Sequence, residues 1–198
     1  RVLFRSYRLD PDLQALHRAH PMIAVWDDHE FENGAYRDGS PGTEPEAWAQ
    51  RQAEAKQVYH EWLPTHVDPT EPLYRAFSLG GIADLFMLDT RVAGRDRPLL
   101  RAEFDQRYTP GRQLLGAEQE EWLFNGLSAS QAPWKLLGQQ VMMSPLQVRG
   151  ALEEERERAI VLNSDQWDGY ASARARLYEH IIAEGVTGVV VCSGDIHT

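Results

Sequence analysis

A mixed α/β fold follows from three features of the chain. Short apolar runs suited to buried strands alternate with segments of helical periodicity, and three of those runs stop abruptly at acidic residues. The third feature is size: 198 residues, 42% of them apolar and 25% charged, suffice for one substantial core. The 30 acidic and 20 basic residues leave a net charge of −10. That balance argues against a general nucleic-acid binder, because few phosphates could be neutralised at once. No stretch reaches the roughly 18 uncharged apolar residues of a membrane span. Cys192 is the single cysteine, which excludes an internal disulfide framework and a cysteine-rich zinc site. The chain starts at Arg1 without a signal peptide and stops abruptly at Thr198, and it reads as a piece of a longer protein.

Each element has a local reason. Asp10 is placed to cap a helix from Pro11 to Ala19, with Leu13 and Leu16 on one face. Met22 to Trp26 has the length and composition of a buried strand and ends in Asp27-Asp28-His29-Glu30, followed by turns through Asn33-Gly34 and Gly39 to Gly42. Thr43 with Glu46 forms a capping-box pattern ahead of a helix striped by Trp48, Ala55, Tyr59 and Trp62, which stops at Pro64. Leu73 to Leu79 and Ala83 to Leu88, joined through Gly80-Gly81, predict a hairpin. After an irregular stretch to Gly111, the pattern predicts a helix from Gly116 to Leu127 and a strand from Trp134 to Met143. Ser144 to Ser164 reads as a mobile loop, and its charge run Glu153 to Arg158 as a solvated face. Ala173, Leu177 and Ile181 mark a helix from Ala171 to Glu184 with Gly185 as its stop, and Val186 to Cys192 reads as a buried strand.

The chemistry is expected where strands end. Met22 to Trp26 gives way to Asp27-Asp28-His29-Glu30, Leu85 to Leu88 to Asp89-Thr90-Arg91, and Val189 to Cys192 to Ser193-Gly194-Asp195-Ile196-His197. Ligands of open α/β sheets bind in the crevice at the carboxyl ends of strands. If the three ends adjoin, four aspartates, two histidines and an arginine share a small volume, and the carboxylates repel. A bound cation would relieve this. Oxygen and imidazole donors suit Zn, Fe or Mn, and oxygen-rich positions suit Ca or Mg. The competing readings are a solvated, capped loop at residues 27–30, a chance Gly-Asp-x-His, and a structural Asp89–Arg91 salt bridge. His17, His20, His60, His66 and His180 have no acidic strand-end neighbour and read as surface or packing residues. The tryptophans read as core residues with Trp167 set apart, and Cys192 as a small buried hydrophobe.

Several motifs in order carry a resemblance over most of the chain. They are Trp26-Asp27-Asp28-His29-Glu30 with Asn33; Asp89-Thr90-Arg91; Leu115-Gly116-Ala117-Glu118-Gln119-Glu120-Glu121-Trp122-Leu123; Trp134-Lys135-Leu136-Leu137-Gly138-Gln139-Gln140-Val141; Asp165-Gln166-Trp167-Asp168-Gly169-Tyr170; and Ser193-Gly194-Asp195-Ile196-His197. The chain resembles the PhoD-like metallophosphatases, the alkaline phosphatase D type. The resemblance implies a metallophosphoesterase-like sandwich of two mixed sheets flanked by helices, with residues 1–198 forming the central part of one catalytic domain, truncated at both ends. In the wider superfamily the segment matching Asp27 to Glu30 reads Gly-Asn-His-Glu or Asp, with the Asn on metal and the His facing phosphate. By that match Asp28 is a metal ligand and His29 the catalytic residue. Asp195 and His197 belong to the same metal site, with Asp27 orienting beside it. The family's earlier ligands, a Gly-Asp segment with a nearby Tyr, would precede Arg1, and its final strands would follow Thr198.

The resemblance further implies a multinuclear centre of iron and calcium, with zinc or manganese as alternatives, and export by a twin-arginine signal. The expected reaction is hydrolysis of a small-molecule or polymer phosphate ester by metal-activated hydroxide, with Arg91 gripping phosphate oxygens. Two alternatives stay open: a phosphodiesterase acting on phospholipid, teichoic-acid or nucleotide esters, and a metal-stabilised binding domain without turnover. No Gly-x-Ser-x-Gly elbow, phosphate loop or His-Glu-x-x-His pair points to an unrelated hydrolase.

Overall fold

The hairpin predicted around Gly80-Gly81 is the first half of a four-stranded mixed sheet. In a computed structural model describing residues 2–63, 65, 67–148, 160–161 and 163–196, β1 (Arg75–Leu79) and β2 (Ala83–Met87) pair antiparallel, Arg75 opposite Met87 and Leu79 opposite Ala83. Gly80 and Gly81 take φ of 61° and 73°, the left-handed backbone that a tight hairpin turn needs and that side chains resist. β3 (Trp134–Val141) and β6 (Val189–Asp195) then add in parallel, giving the order β1-β2-β3-β6.

Each parallel step needs a crossover, supplied by α4 (Ala117–Ala129) and α5 (Ala171–Ala183). Both helices cover one sheet face. Leu123 and Leu127 of α4 and Ala173 and Leu177 of α5 pack with Phe86, Leu137 and Val141 of the strands in one buried cluster. α4 starts after Gly116, whose Cα approaches Gly94 so closely that a Cβ on Gly94 would stand 2.3 Å from it. On the opposite face Leu85 and Leu136 are half-buried and Val190 is 38% exposed.

A second apolar cluster lies around Trp26. α1 (Val2–Arg8), α2 (Pro11–Ala19) and α3 (Pro45–Trp62) precede the sheet in the chain. Phe4 packs edge-on against Tyr59 of α3, and Trp26, Phe31, Trp48, Tyr59 and Leu73 are buried together. Asp10 caps α2 as expected, its Oδ1 accepting from the Leu13 N–H at 2.8 Å.

Several expectations change. Met22 to Trp26 joins no ladder among the described residues and is not a buried strand: Met22 and Ile23 are exposed and only Trp26 is buried. Side chains take its carbonyls instead: Arg75 donates to Ala24 at 2.6 Å and Gln140 to Trp26 at 2.7 Å. The Thr43–Glu46 capping box does not form, because Pro45, with its φ already suited to a first turn, starts α3 after Glu44, while Thr43 bridges to Ser40. The final strand is shifted to Val189–Asp195 and is not buried. Among the described residues it is the outermost strand, half-buried at Val189, Val191 and Asp195 and exposed at the other positions, and Cys192 is exposed rather than packed inside. Residues 144–164 are not all loop, since β4 (Gln147–Val148) and β5 (Ile160–Val161) pair antiparallel. This is the only second sheet among the described residues. The run Glu153 to Arg158, His66 and His197 lie outside the described residues. Trp167 is buried like the other core tryptophans, whereas Trp134, at the start of β3, is 51% exposed.

Candidate active site at the strand ends

Because β2, β3 and β6 are parallel, their carboxyl ends open at one edge of the sheet. Asp195 closes β6 opposite Val141 of β3, and Asp89 follows β2 by two residues. Asp89 is 2% exposed. Its Oδ1 accepts from the N–H groups of Arg91 at 2.8 Å and Val92 at 2.9 Å, turning the chain sharply after the strand. Burial pushes its carboxyl pKa up, while those two backbone bonds and the Trp26 indole favour the charged form.

Uncharged amides join this turn to its neighbours. Gln119 of α4 accepts from the Asp89 N–H and donates to the Asp89 carbonyl, both at 2.8 Å. Gln140 near the end of β3 accepts from the Thr90 hydroxyl at 2.6 Å and donates to the carbonyls of Trp26 and Leu88. It thereby staples the residue just before Asp27 to the end of β2. Gln139 accepts from the Trp167 indole at 3.2 Å and donates to Ser193 of β6 at 2.6 Å.

The segment predicted to carry the chemistry turns immediately. Asp28–Glu30 forms a 3₁₀ turn in which Glu30 Oε2 accepts from the Asp27 N–H at 2.8 Å. Asp28 is fully buried, and its Oδ2 accepts from the Gly34 N–H at 2.8 Å. His29 points outward, its side chain 78% exposed with Nε2 4.0 Å from Asp28 Oδ1. An inward Asp28 and an outward His29 follow from the tight turn.

Arg91 occupies the centre, fully buried. It is not paired with the Asp89 carboxylate through its guanidinium. Its Nε donates to Asp27 Oδ1, its Nη1 donates to Asp165 Oδ2 at 2.7 Å, and its Nη2 lies 3.9 Å from Asp28 Oδ1. Burial alone would lower the Arg91 pKa, but Asp165, Asp27 and Asp28 outweigh it and raise it, so the guanidinium stays charged. The repulsion foreseen between strand-end carboxylates is therefore met, at Asp27 and Asp28, by an internal cation.

Asp165 and Arg95 were not singled out from the sequence as site residues. Asp165 Oδ1 accepts from Arg95 Nη2, and Arg95 Nε donates to the Tyr170 hydroxyl at 2.9 Å. The local signals were weak: glutamines inside an apolar strand, and an aspartate opening the segment before α5. Among the described residues no group of three or more His, Cys, Asp or Glu side chains is placed to hold a metal ion. Asp28 and Asp195 are donors of suitable type, but they do not by themselves make a metal centre.

Buried charge gathered at the carboxyl ends of parallel strands is the placement at which α/β proteins bind ligands. Comparison with known proteins narrows the class. The PhoD-like phosphatase family matches residues 1–198. The chain is 36% identical over 201 residues to the alkaline phosphatase D of Bacillus subtilis (strain 168), covering 97% of this chain and 33% of that protein. It also matches a solved structure of PhoD with a TM-score of 0.83 at 36% identity, over 97% of this chain and 37% of that one. The chain belongs to the PhoD-like phosphatase family. It spans about a third of the length of the curated relative it matches.

Proposed function

We propose that this chain carries part of the active site of a phosphatase that hydrolyses phosphate esters. The observation that supports it most directly is the exposed His29 standing beside the buried Asp28 and Arg91 and the half-buried Asp27 at the carboxyl ends of parallel strands, in a member of a phosphatase family. In the proposed reaction, water oxygen bonds to phosphorus as the bond from phosphorus to the leaving oxygen breaks. His29 gives a proton to that leaving oxygen, and the proton lost by the water restores it. General acid catalysis of this kind contributes about 10²–10⁴ in rate.

Asp27 and Asp28 are proposed to hold the turn that presents His29, and Asp28, Asp195 and His197 to offer donors to an iron and calcium centre, or one of zinc or manganese. Such ions would supply Lewis-acid charge for the phosphoryl oxygens. The described donors do not complete that centre, so the contribution proposed for this chain is binding, orientation and proton transfer. Arg91, predicted to grip phosphate, is turned inward onto carboxylates, and the proposed role is that of their counter-ion. Export of the whole protein is proposed on the resemblance alone. No described helix is long and apolar enough to cross a membrane.

The test is phosphate release by the intact protein from matched mono- and diester substrates, with His29→Ala as the variant. Loss of about 10²-fold or more in kcat with the fold and metal content retained is expected. Unchanged turnover removes His29 from the mechanism, and binding of phosphate esters without release by the unsubstituted protein replaces the phosphatase reading with a binding module.

A further inference from the structure

The turn from Asp165 to Tyr170 has no part in the reaction proposed above, yet it supplies counter-charge to the central arginine. We infer that Asp165 is a positioning residue of the strand-end site: by holding Arg91 and Arg95 at once, it fixes the direction in which Arg91 addresses Asp27 and Asp28. The inference rests on the phosphatase reading for its consequence in turnover, but not for its geometry.

The three nitrogens of the Arg91 guanidinium face three different aspartates. Nη1 donates to Asp165 at 2.7 Å, Nε donates to Asp27, and Nη2 lies 3.9 Å from Asp28. The other Asp165 oxygen accepts from Arg95, and Arg95 Nη2 also donates to the Asp165 carbonyl at 2.9 Å. Arg95 is braced in turn, donating to the Thr90 carbonyl at 3.2 Å and to the Tyr170 hydroxyl, which itself donates to the Asp96 carbonyl at 2.7 Å. Both guanidinium groups are fully buried, and the Asp165 side chain is 14% exposed. Asp165 is seated by its own loop, its N–H donating to Asn163 at 2.8 Å and the Ser164 hydroxyl to the Leu99 carbonyl at 2.6 Å.

A guanidinium is a rigid planar fork, so fixing one edge fixes the others. With Nη1 tied to Asp165, Nε and Nη2 are directed at the two residues that immediately precede His29. Removing the Asp165 charge would leave two buried cations adjoining without the carboxylate they share, at a cost that a turn of Arg91 toward Asp27 and Asp28 would relieve. That turn would drag the tip bearing His29. Misplacement of a catalytic group by about 1 Å costs about 10²-fold in rate.

The experiment uses the intact protein with Asp165→Asn, Asp165→Glu and Arg95→Lys, and two measurements. The first is kcat and KM for p-nitrophenyl phosphate. Asp165→Asn is expected to lower kcat by about 10²-fold with KM changed less than about twofold, and Asp165→Glu to recover about tenfold of that loss. The second is the ¹⁵N spectrum of arginine Nε–H groups, in which Arg91 exchange with solvent is expected to quicken about tenfold in Asp165→Asn. If Asp165→Asn does not fold, Arg95→Lys, which keeps the charge and loses the fork, is read in the same two ways. Unchanged kcat, no recovery in Asp165→Glu, or unchanged Arg91 exchange overturns the inference. Absence of phosphate release by the unsubstituted protein sinks the phosphatase reading instead, and the exchange measurement then decides by itself whether Asp165 positions Arg91.

Discussion

The two apolar clusters of this chain are held in different ways. Beneath the sheet, Phe86, Leu137, Val141, Leu123 and Leu177 pack between strands and helices whose backbone groups are paired within their own ladders and turns. Around Trp26 the rings meet edge-on, with centroids 5.0 Å from Phe31 and 5.3 Å from Tyr59, but the chain between residues 21 and 44 has almost no ladder. There, distant side chains satisfy the backbone. Arg75 reaches the Ala24 carbonyl, Gln140 that of Trp26, Arg51 that of Phe31 and the Trp48 indole that of Arg37. Buried backbone groups must be paired, so where the ladder is missing the pairing depends on single residues far away in sequence. The candidate site sits on the seam between these two regimes, with Asp89 on the ladder side and Asp27 and Asp28 on the side-chain side.

That contrast can be broken by substitution. Leu137→Ala removes a fully buried side chain from the ladder-held core and is expected to cost about 2–5 kcal/mol in urea unfolding, because the surrounding elements relax little. Gln140→Ala is expected to cost about 1–3 kcal/mol, through the buried groups of Thr90, Trp26 and Leu88 that it strands. The sharper expectation concerns location. Hydrogen exchange should quicken around residues 24–31 in Gln140→Ala and stay unchanged there in Leu137→Ala. Equal responses in both variants would mean that the two regions fold as one regime.

The smallest effect is one of pH. Burial lowers the pKa of His60 from its ordinary 6.5, helped by Arg75 and Lys56 and opposed by Asp68. Below that ordinary value the unfolded chain takes up the proton more readily than the folded one. Stability from this residue is therefore full above about pH 6.5 and is lost as pH falls through that value toward the folded pKa. Comparing urea midpoints at pH 7.5 and 5.5, His60→Gln should lose less than the unsubstituted chain. An identical loss would assign the acid sensitivity to other groups.

Much of the fold was legible because its signals are local. The α2 cap at Asp10, the glycine turn between β1 and β2, and the stop of α5 at Gly185 each rest on residues a few positions apart. Met22 to Trp26 misled for a physical reason: apolar β-prone residues predict burial and extension, but pairing requires a neighbouring strand, and side chains took that place. The last strand is shifted in sequence, running Val189–Asp195 instead of Val186 to Cys192, and among the described residues it is the outermost strand, with Cys192 exposed.

The site divides along the same line. Acidic residues terminating apolar runs marked Asp27, Asp28, Asp89, Arg91 and Asp195, because a charge cannot continue a buried strand cheaply. Which of those charges meet, and which cation answers them, was decided by the tertiary structure alone. Asp27 and Arg91 are 64 positions apart and Arg91 and Asp165 are 74 apart, separations over which composition and periodicity carry no information. Only the tertiary structure, which sets the segment held by Gln140 and the turn before α5 against the end of β2, brings them within hydrogen-bonding distance, where Coulomb attraction to the buried Arg91 selects the partners.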